Sequence, residues 1–385
     1  MKITTDSQQL IDSINWASKT AGANDDTVVL EVTDEGEASL SHLGEDSYMR
    51  APLPLSVAAD GDALRVPLDG THLNRVTAGL KLIPGDVELN VTGKGTSRTL
   101  TITSLQKKST RFRVPTYSTS PSAAPTFAKL GEISDAEFFE SLKGIHNAAA
   151  HEEEANTAAL RSIDLAFSDD KLVMMATNRW ALAEITLDFT KDEDFDSDQL
   201  PEHFLLPRDV AAAIPAAKDA TAQVEIIYDA DTQKFGYRFG DGRIALFGLN
   251  DGNPIPYGRT KTDAGKGVDH EATVDLNDLK AKIRTISSFP ESDGTVHWSL
   301  KPDLFEIHDK SGENSMEIDA SIDLAGDDSS KLVFIQAVLE VAIGVIRTQR
   351  VKLKWSANQS HILVVPVLDD GSDSESVFAF AGATS

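Results

Sequence analysis

Residues 6–19 read DSQQLIDSINWASK, and this stretch decides the fold because two later segments are built in the same way. Each of the three begins with aspartate and continues as a helix with one apolar face; the later two cover Asp135–Ala149 and Asp275–Ser287. A second helix-like segment follows each of them, over Asp69–Leu82, Pro207–Lys218 and Leu332–Ile346. Recurrence at a period of roughly 130 residues indicates one structural unit that has been copied and joined.

Alternating strands follow the second helix of each copy. The apolar residues that mark them are Val87, Leu89 and Val91, then Val224, Ile226 and Tyr228, and finally Val351, Leu353 and Trp355. Two helices on antiparallel sheet, repeated three times, predict an α+β protein with domains over residues 1–128, 129–262 and 263–368. The acidic, small-residue segment 369–385 is predicted to be a disordered tail.

The composition limits the classes of function. The chain has 61 acidic and 36 basic residues, a net charge of −25, and no cysteine. The absence of cysteine excludes a disulfide framework, thiol catalysis and thiolate metal sites, and it fits a cytoplasmic protein. No apolar run approaches the length of a membrane span, so we expect no membrane partner. The acidity alone favours a well-solvated surface, although the basic residues concentrate on the repeated helices.

Enzyme signatures are missing from the sequence. There is no GxxxxGK[ST] loop and no G-x-S-x-G elbow, and Gly265-Lys266-Gly267 lacks the required spacing. His151 beside Glu152–Glu154 is the only local cluster with ligand-type side chains, and an acidic solvated turn explains it better than a metal site. We therefore expect no catalytic residue, no metal and no cofactor.

Four segments carry a family resemblance. They are Ala176–Ala183 (ATNRWALA), Leu205–Arg208 (LLPR), Asp251-Gly252 with Tyr257 and Arg259, and Leu363–Val367 (LVVPV). In this order on a three-repeat chain they resemble the A-T-D-G-H-R-L-A, V-P-R, D-G-x-F-P-x-Y-x-R and V-V-M-P-M signatures of the bacterial sliding clamp, the beta subunit of DNA polymerase III. The resemblance spans roughly residues 1–368 and is to a divergent form of the kind that phages carry.

The resemblance implies that two copies join head to tail and close a six-domain ring around double-stranded DNA. A ring holds DNA by topology, so a mildly positive inner wall is sufficient and the outside can be acidic. The candidate DNA-facing residues are Lys19, Arg75, Lys81, Lys143, Lys218, Lys280, Lys282, Arg284, Arg347 and Arg350. The implied partners are a DNA polymerase and a clamp loader ATPase, whose short peptides bind a hydrophobic groove between the second and third domains.

Matching the family residue by residue gives the groove and the ring joint. The groove residues are Leu160, Thr177, Arg179, Trp180, Leu182, Ile255, Arg259, Thr260, Val364, Val365, Pro366 and Val367. The joint residues are Phe112 and Val114 on one side and Ile283, Ile286 or Phe289 on the other. For the aliphatic groove residues, and for Leu182 and Val364 above all, a plain core role is an equal alternative.

This sequence departs from the family pattern in three places, one of which is the linker, where Ile255 and Pro256 replace the usual order. The family has Gly-His where Arg179-Trp180 stand, so the pocket is expected to have a different shape. The chain also continues beyond Leu368 into a tail with Phe378 and Phe380, which we hypothesise folds back into the groove as an internal competitor. The alternative from another class is a β-rich structural assembly protein without a DNA role; it requires neither the basic helices nor the four segments.

Overall fold

The structure is a computed structural model of the whole chain. It describes residues 1–20, 27–60, 63–93, 98–106, 110–117, 123–151, 153, 155–168, 170–193, 201–213, 222–258, 262, 265–289, 293–325, 329–356, 361–375 and 377–382. The chain divides into two compact units. The first contains Met1–Glu132, Lys191–Ser197 and Ala222–Gly248; the second contains Ile133–Thr190, Asp198–Thr221 and Leu249–Ser385.

The first unit is built on two antiparallel sheets. A five-stranded sheet has the order β5 (Val57–Asp60), β1 (Lys2–Asp6), β7 (Asp86–Thr92), β8 (Thr99–Ser104) and β9 (Arg111–Pro115). A nine-stranded sheet has the order β14 (Thr190–Lys191), β10 (Ala128–Ser134), β16 (Gln223–Asp229), β17 (Lys234–Phe239), β18 (Ile244–Gly248), β4 (Ser47–Pro52), β3 (Ala38–Leu43), β2 (Thr27–Val32) and β6 (Leu64–Asp69). Pairing of β18 with β4 joins strands of the first and second sequence repeats in one sheet.

The second unit also has two antiparallel sheets. The nine-stranded one has the order β15 (Phe204–Pro207), β11 (Ser162–Phe167), β12 (Lys171–Thr177), β13 (Ala181–Asp188), β27 (Val377–Gly382), β26 (His361–Val367), β25 (Arg350–Trp355), β19 (His270–Asp275) and β23 (Ala320–Asp323). The four-stranded one has the order β22 (Ser315–Ile318), β21 (Leu304–His308), β20 (Thr295–Lys301) and β24 (Ser330–Ile335).

Helices pair within each sequence repeat. The α-helices with described bounds are α1 (Ser7–Ala17), α2 (Gly70–Leu80), α3 (Asp135–Ile145), α4 (Arg208–Ala213), α5 (Leu276–Ser287) and α6 (Gln336–Gly344). Helix α1 packs on α2, α3 on α4 and α5 on α6. The apolar faces expected from the sequence are buried, for example Leu10 and Ile14 in α1 and Leu279 and Ile283 in α5. Each such side chain contributes about 1.5–3 kcal/mol through the area it removes from water.

Three helices begin with an aspartate cap. The side-chain oxygen of Asp6 accepts from the backbone N–H of Gln8 at 2.8 Å, and that of Asp69 accepts from His72 at 2.7 Å. Asp275 does the same for Asp278 at 2.9 Å. Because the first N–H groups of a helix lack intrahelical acceptors, such a cap stabilises the helix by about 1 kcal/mol. The aspartates that open these helices therefore have a direct structural role.

Two predicted helices are wrong in their bounds. The segment Leu332–Ile346 is helical only over Gln336–Gly344, because Leu332–Ile335 belong to β24, which pairs with β20. Leu332 and Phe334 are buried in the strand, and a helix at this position would be expected to bury them too. Their apolar character therefore does not distinguish a helix from a strand, whereas the pairing of β24 with β20 does. The helix predicted over Asp135–Ala149 ends at Ile145 and continues as a 3-10 turn, His146–Ala148. Helix α4 is described only to Ala213, so Lys218 lies outside the described residues.

The prediction of a disordered tail is wrong. Residues 377–382 form β27, which lies between β13 and β26 and pairs with both. Ala379 and Ala381 are buried because helix α6 packs against this strand. The α+β class with antiparallel sheets is confirmed, while the division into three domains stays a prediction. Within the described parts of the chain, no helix has the length and apolar character needed to cross a membrane.

Candidate partner site and basic cavity

A tight turn between β12 and β13 presents Arg179 and Trp180. The Thr177 hydroxyl donates to the Ala181 carbonyl at 2.6 Å and accepts from the Arg179 N–H at 3.1 Å. The Asn178 side-chain oxygen accepts from the N–H groups of Trp180 at 3.1 Å and Ala181 at 2.8 Å. Since both ends of the turn are tied by side chains, the two residues at its tip are held in a fixed position.

Arg179 and Trp180 are both exposed at the tip of this turn. Arg179 has φ of 79°, in the left-handed region where glycine is favoured and where other residues are less stable by about 1 kcal/mol. That conformation explains why the resemblance implies glycine at this position. Trp180 is 57% exposed, which excludes a core role for its ring. An exposed aromatic residue on a strained, well-anchored turn is typical of a binding surface.

Three of the aliphatic groove residues belong to two small apolar clusters. Leu182 is 2% exposed and packs with Met175 and Tyr257 in one cluster, while Leu160 packs with two alanines in another. Ile255 is partly exposed and contacts both clusters. Ile255 therefore connects the buried clusters of Leu160 and Leu182, and it is the one of these three residues that is partly exposed.

The last predicted groove segment lies on β26. Val364 is fully buried, Pro366 and Val367 are buried, and Val365 is partly exposed. Leu182 and Val364 thus belong to the core, as the alternative interpretation expected. Thr177 is buried and serves the turn. Arg259 and Thr260 lie outside the described residues, so their predicted role in the groove rests on the sequence alone.

A polar pair, His203 and Asp164, lies near Tyr257, which packs with Leu182. His203 Nδ1 and Asp164 Oδ1 are 2.8 Å apart, and Asp164 is fully buried. Burial raises the pKa of Asp164, although the nearby His203 opposes this shift. Burial, with a contribution from Asp164, also raises the pKa of Tyr257 far above its usual value. Among the described residues, Asp164 Oδ2 and Tyr257 Oη have no hydrogen-bond partner.

Next to the turn lies an open cavity of about 920 Å³ with a strongly basic wall. Among the described residues, its charged side chains are Arg179, Arg208, Lys280, Arg284, Arg347 and one carboxylate, Glu340. Trp180, Asn178 and apolar residues of α6 are further parts of the lining. The pKa of Lys280 is lowered, first by burial and then by the charges of Arg347 and Arg284, so these three cations act on one another. Such a site favours an anionic ligand.

Two arginines of this cavity are fixed by hydrogen bonds. Arg208 donates from Nε to the His146 carbonyl at 3.1 Å, and its Nη1 lies 2.9 Å from His151 Nδ1. Arginine only donates, so the His151 nitrogen accepts in this contact. Arg347 donates to the Glu140 carbonyl at 3.1 Å, which ties the end of α6 to α3. These anchors position positive charge instead of leaving it on flexible side chains.

Of the predicted DNA-facing residues, Lys19, Arg75, Lys81 and Lys143 lie on a helix or just beyond its end, whereas Arg350 is the first residue of strand β25 and is not part of a helix. Exposed side chains are those of Lys19, Arg75, Lys81, Lys143, Arg284, Arg347 and Arg350, whereas Lys280 and Lys282 are half-buried. Lys282 pairs with Asp278 at 2.6 Å, and Arg284 lies 3.9 Å from Glu340. Lys282 is thus partly neutralised by its own helix, which the sequence interpretation did not anticipate.

The predicted joint residues divide into two groups. Val114, Ile283 and Ile286 have no exposed surface and belong to the chain's own core, so their side chains are not available to a second copy. Phe112 and Phe289 are partly exposed. The ring of Phe112 covers Gly79 of α2. The prediction of a joint therefore rests on the two phenylalanines.

Sequence reasoning missed Arg208 and His151 as parts of the basic cavity. Arg208 was noted only as part of a family signature, and His151 only as a solvated residue. No local pattern reveals their contact, since they are 57 positions apart in the chain. Among the residues that the structure describes, no group of three or more histidines and carboxylates is placed to hold a metal ion.

Comparison with known proteins finds matches among solved structures. The sequence matches no protein-family model, and it matches no curated protein at a significant level. Solved structures do match over the whole chain. The DNA polymerase III subunit beta of Pseudomonas aeruginosa is 17% identical, with a TM-score of 0.80 and coverage of 100% of both chains.

Two further structures agree with it. The DNA polymerase III beta subunit of Thermotoga maritima is 16% identical with a TM-score of 0.75, covering 100% of this chain and 99% of that one. A putative beta subunit from Eubacterium rectale is 13% identical with a TM-score of 0.77 and the same coverage. This chain therefore has, along its full length, the fold of the DNA polymerase III beta subunits.

Proposed function

We propose that this protein is a DNA sliding clamp: it encircles duplex DNA as a ring of two copies and tethers a DNA polymerase. The observation that carries the proposal is the full-length likeness, at a TM-score of 0.80, to a structure described as a DNA polymerase sliding clamp from Pseudomonas aeruginosa. At 17% identity this likeness concerns the fold, so the role needs support from the chain's own residues.

The basic cavity and helix flanks support a DNA role. A net charge of −25 opposes general nucleic-acid binding, because non-specific affinity comes from lysines and arginines that neutralise phosphates. The five cations around one cavity, fixed in part by hydrogen bonds, are a local exception to that acidity. A ring that holds DNA by topology needs such local charge only to keep the duplex centred.

The turn at Arg179 and Trp180 supports a partner role. Trp180 offers an exposed aromatic ring, Ile255 offers an apolar floor, and Arg179 offers a charge at the rim. An aromatic anchor beside an apolar pocket with a polar rim is the usual form of a peptide-binding hot spot. A polymerase and a clamp loader ATPase are the partners we propose for it, in the cytoplasm and without any enzymatic activity of the clamp itself.

The experiment that tests this function compares circular and linear DNA. The protein is diluted to open its joints, mixed with nicked circular plasmid, concentrated, and washed with 0.5 M salt on a sizing column. We expect protein to co-elute with the circle and to be released when a restriction enzyme cuts it. Light scattering of the same protein should give about twice the chain mass of 41.5 kDa. A monomer, or equal retention on linear DNA, would remove the proposal.

A further inference from the structure

Cations from several elements of the second unit converge on the basic cavity. Arg179 lies on the turn after β12, Arg208 begins α4, Lys280 and Arg284 lie on α5, and Arg347 follows α6. The cavity volume of about 920 Å³ falls in the range of about 300–1,000 Å³ that is usual for small-molecule and cofactor sites. The fold thus forms a ligand-sized space with a positively charged wall.

The positive charge of this wall is not balanced from within the cavity. Glu340 lies 3.9 Å from Arg284 and is the carboxylate closest to it among the ion pairs of the described residues. Arg208 lies 3.6 Å from Asp209, but 88% of the Asp209 side chain is exposed, so water screens that pair. The cavity cations that form no ion pair with a described carboxylate are Arg179, Lys280 and Arg347. A bound anion is therefore the missing counter-charge.

The cations also act against one another. Burial lowers the pKa of Lys280, and the charges of Arg347 and Arg284 lower it further. Arg208 and Arg347 each donate to a backbone carbonyl at 3.1 Å, which limits how far they can move apart. Because nearby opposite charges favour the charged form of a side chain, a compact ligand with several negative charges relieves this repulsion. A chain of adjacent phosphates is such a ligand.

Trp180 adds an aromatic face to the same cavity. Its side chain is 57% exposed and lines the cavity beside Arg179. The side-chain oxygen of Asn178 fixes its position by accepting from the Trp180 N–H at 3.1 Å. Val338 and Val341 of α6 are apolar parts of the lining. An aromatic ring binds nucleobases by stacking and tolerates any base, so a nucleotide matches both the ring and the cations.

We propose that the basic cavity binds a free nucleoside polyphosphate, with its base against Trp180 and its phosphates among the cations of the wall. A duplex does not present an open base face to the ring, because its bases are paired and stacked inside. A single strand presents bases but carries only one phosphate per nucleotide, whereas a nucleoside triphosphate places three together. The inference goes beyond the proposed clamp function and does not require the ring, since one chain supplies all the described lining residues.

The test measures binding to the full chain at low salt by calorimetry, with thymidine triphosphate as the probe. The matched probe is deoxyribose triphosphate, which has the same phosphates and no base. We expect the nucleotide to bind about tenfold more tightly than the sugar triphosphate, in line with the stacking of one base. It should also quench tryptophan emission, because Trp180 is the exposed tryptophan while Trp16, Trp298 and Trp355 are at most 6% exposed.

Three variants divide the contributions of ring and charge. Trp180→Ala should reduce the affinity for thymidine triphosphate to that for deoxyribose triphosphate and leave the latter unchanged. Lys280→Gln should weaken the binding of both probes. Lys331→Gln removes one charge at an exposed position outside the cavity lining and should change neither.

Four results would overturn the inference. They are no binding of thymidine triphosphate, equal affinity for the two triphosphates, tighter binding of a thymidine tetranucleotide, which would assign the cavity to a single strand, and equally tight binding of tetraglutamate, which would assign it to an acidic peptide. Retention on circular DNA is measured in parallel. A parent chain that is retained but does not bind the nucleotide refutes this inference alone, and one that binds the nucleotide but is not retained refutes the clamp function alone.

Discussion

The ring of Phe112 lies directly over Gly79: a Cβ added to Gly79 would come within 2.6 Å of two carbons of that ring. Helix α2 and the edge strand β9 therefore pack closely at Phe112, which is one of the two residues on which the predicted joint rests. Only glycine allows the ring this position, because any side chain at this point of α2 would occupy the same space.

Gly79→Ala is therefore expected to weaken the joint without weakening the fold. Alanine favours a helix over glycine by about 1 kcal/mol, so α2 itself gains stability, while the Phe112 ring is displaced. We predict at least a tenfold rise in the dimer dissociation constant by sedimentation. Gly344→Ala is the matched control, because a Cβ there meets nothing within 4 Å. An unchanged dimer constant for Gly79→Ala would argue against a joint at Phe112.

Charge reversal in the basic cavity should change DNA binding selectively. We expect Lys280→Glu with Arg284→Glu to weaken binding to a short linear duplex at low salt. The slope of log K against log salt should fall by about 2, since each phosphate contact contributes roughly 0.9. The control is Lys301→Glu with Lys331→Glu, which changes the net charge equally at two exposed positions outside the cavity lining. If both pairs of substitutions act alike, only the net charge matters and the cavity has no special role.

Trp180 should be the tryptophan that solvent reaches. It is 57% exposed, whereas Trp16, Trp298 and Trp355 are at most 6% exposed. Trp180→Phe should therefore remove most of the emission that acrylamide quenches, and it should change the free energy of unfolding by less than about 0.5 kcal/mol. In contrast, Trp16→Phe loses a buried hydrogen bond of 3.0 Å to the Ile244 carbonyl and should destabilise the protein. Strong residual quenching in Trp180→Phe would contradict the exposed turn.

Asp164 should make the protein less stable as the pH rises. Burial holds its pKa above the ordinary value of 3.8 in the folded chain. A carboxyl with a raised folded pKa contributes stability below its unfolded pKa and loses it as the pH climbs through the folded pKa. We predict that Asp164→Asn removes this loss and raises the free energy of unfolding at pH 7 by about 1 kcal/mol.

Urea titrations of the parent chain and of Asp164→Asn at several pH values between 3 and 7 measure whether the free energy of unfolding falls with rising pH in the parent and whether the variant is more stable at pH 7. The asparagine side chain keeps a carbonyl acceptor for His203 and adds an N–H donor near Tyr257, whose hydroxyl has no partner among the described residues. A variant that is less stable than the parent at pH 7 would mean that the ionised pair with His203 stabilises the fold.

Local signals predicted the fold well. Helices α1, α2 and α5 were predictable because the aspartate cap and the apolar face of each lie within about a dozen consecutive residues. Strand β25 was predictable because its alternate residues Val351, Leu353 and Trp355 are apolar, and these are the residues that are buried. Leu332–Ile335 was assigned to a helix because an apolar run next to a helix has no decisive period.

The candidate site was only partly predictable, because its decisive features are contacts between distant residues. Ala379 and Ala381 look like tail residues until β13 and β26 are placed on either side of them. The motif around Trp180 drew attention to this segment, but it did not distinguish the exposed ring from the buried Leu182 two positions later. The family pattern supplied candidate segments, and burial divides their residues between the core and the surface.

The most direct measurement of the central claim is a covalent closure of the ring. The chain has no cysteine, so Phe112→Cys with Phe289→Cys places thiols only at the proposed joint. The variant is mixed with nicked circular plasmid and oxidised, and the products are separated in SDS. The account predicts that protein stays with the circle in SDS and leaves it on linearisation or reduction. Disulfide-linked dimers that never retain the circle, or that retain linear DNA equally, would contradict it.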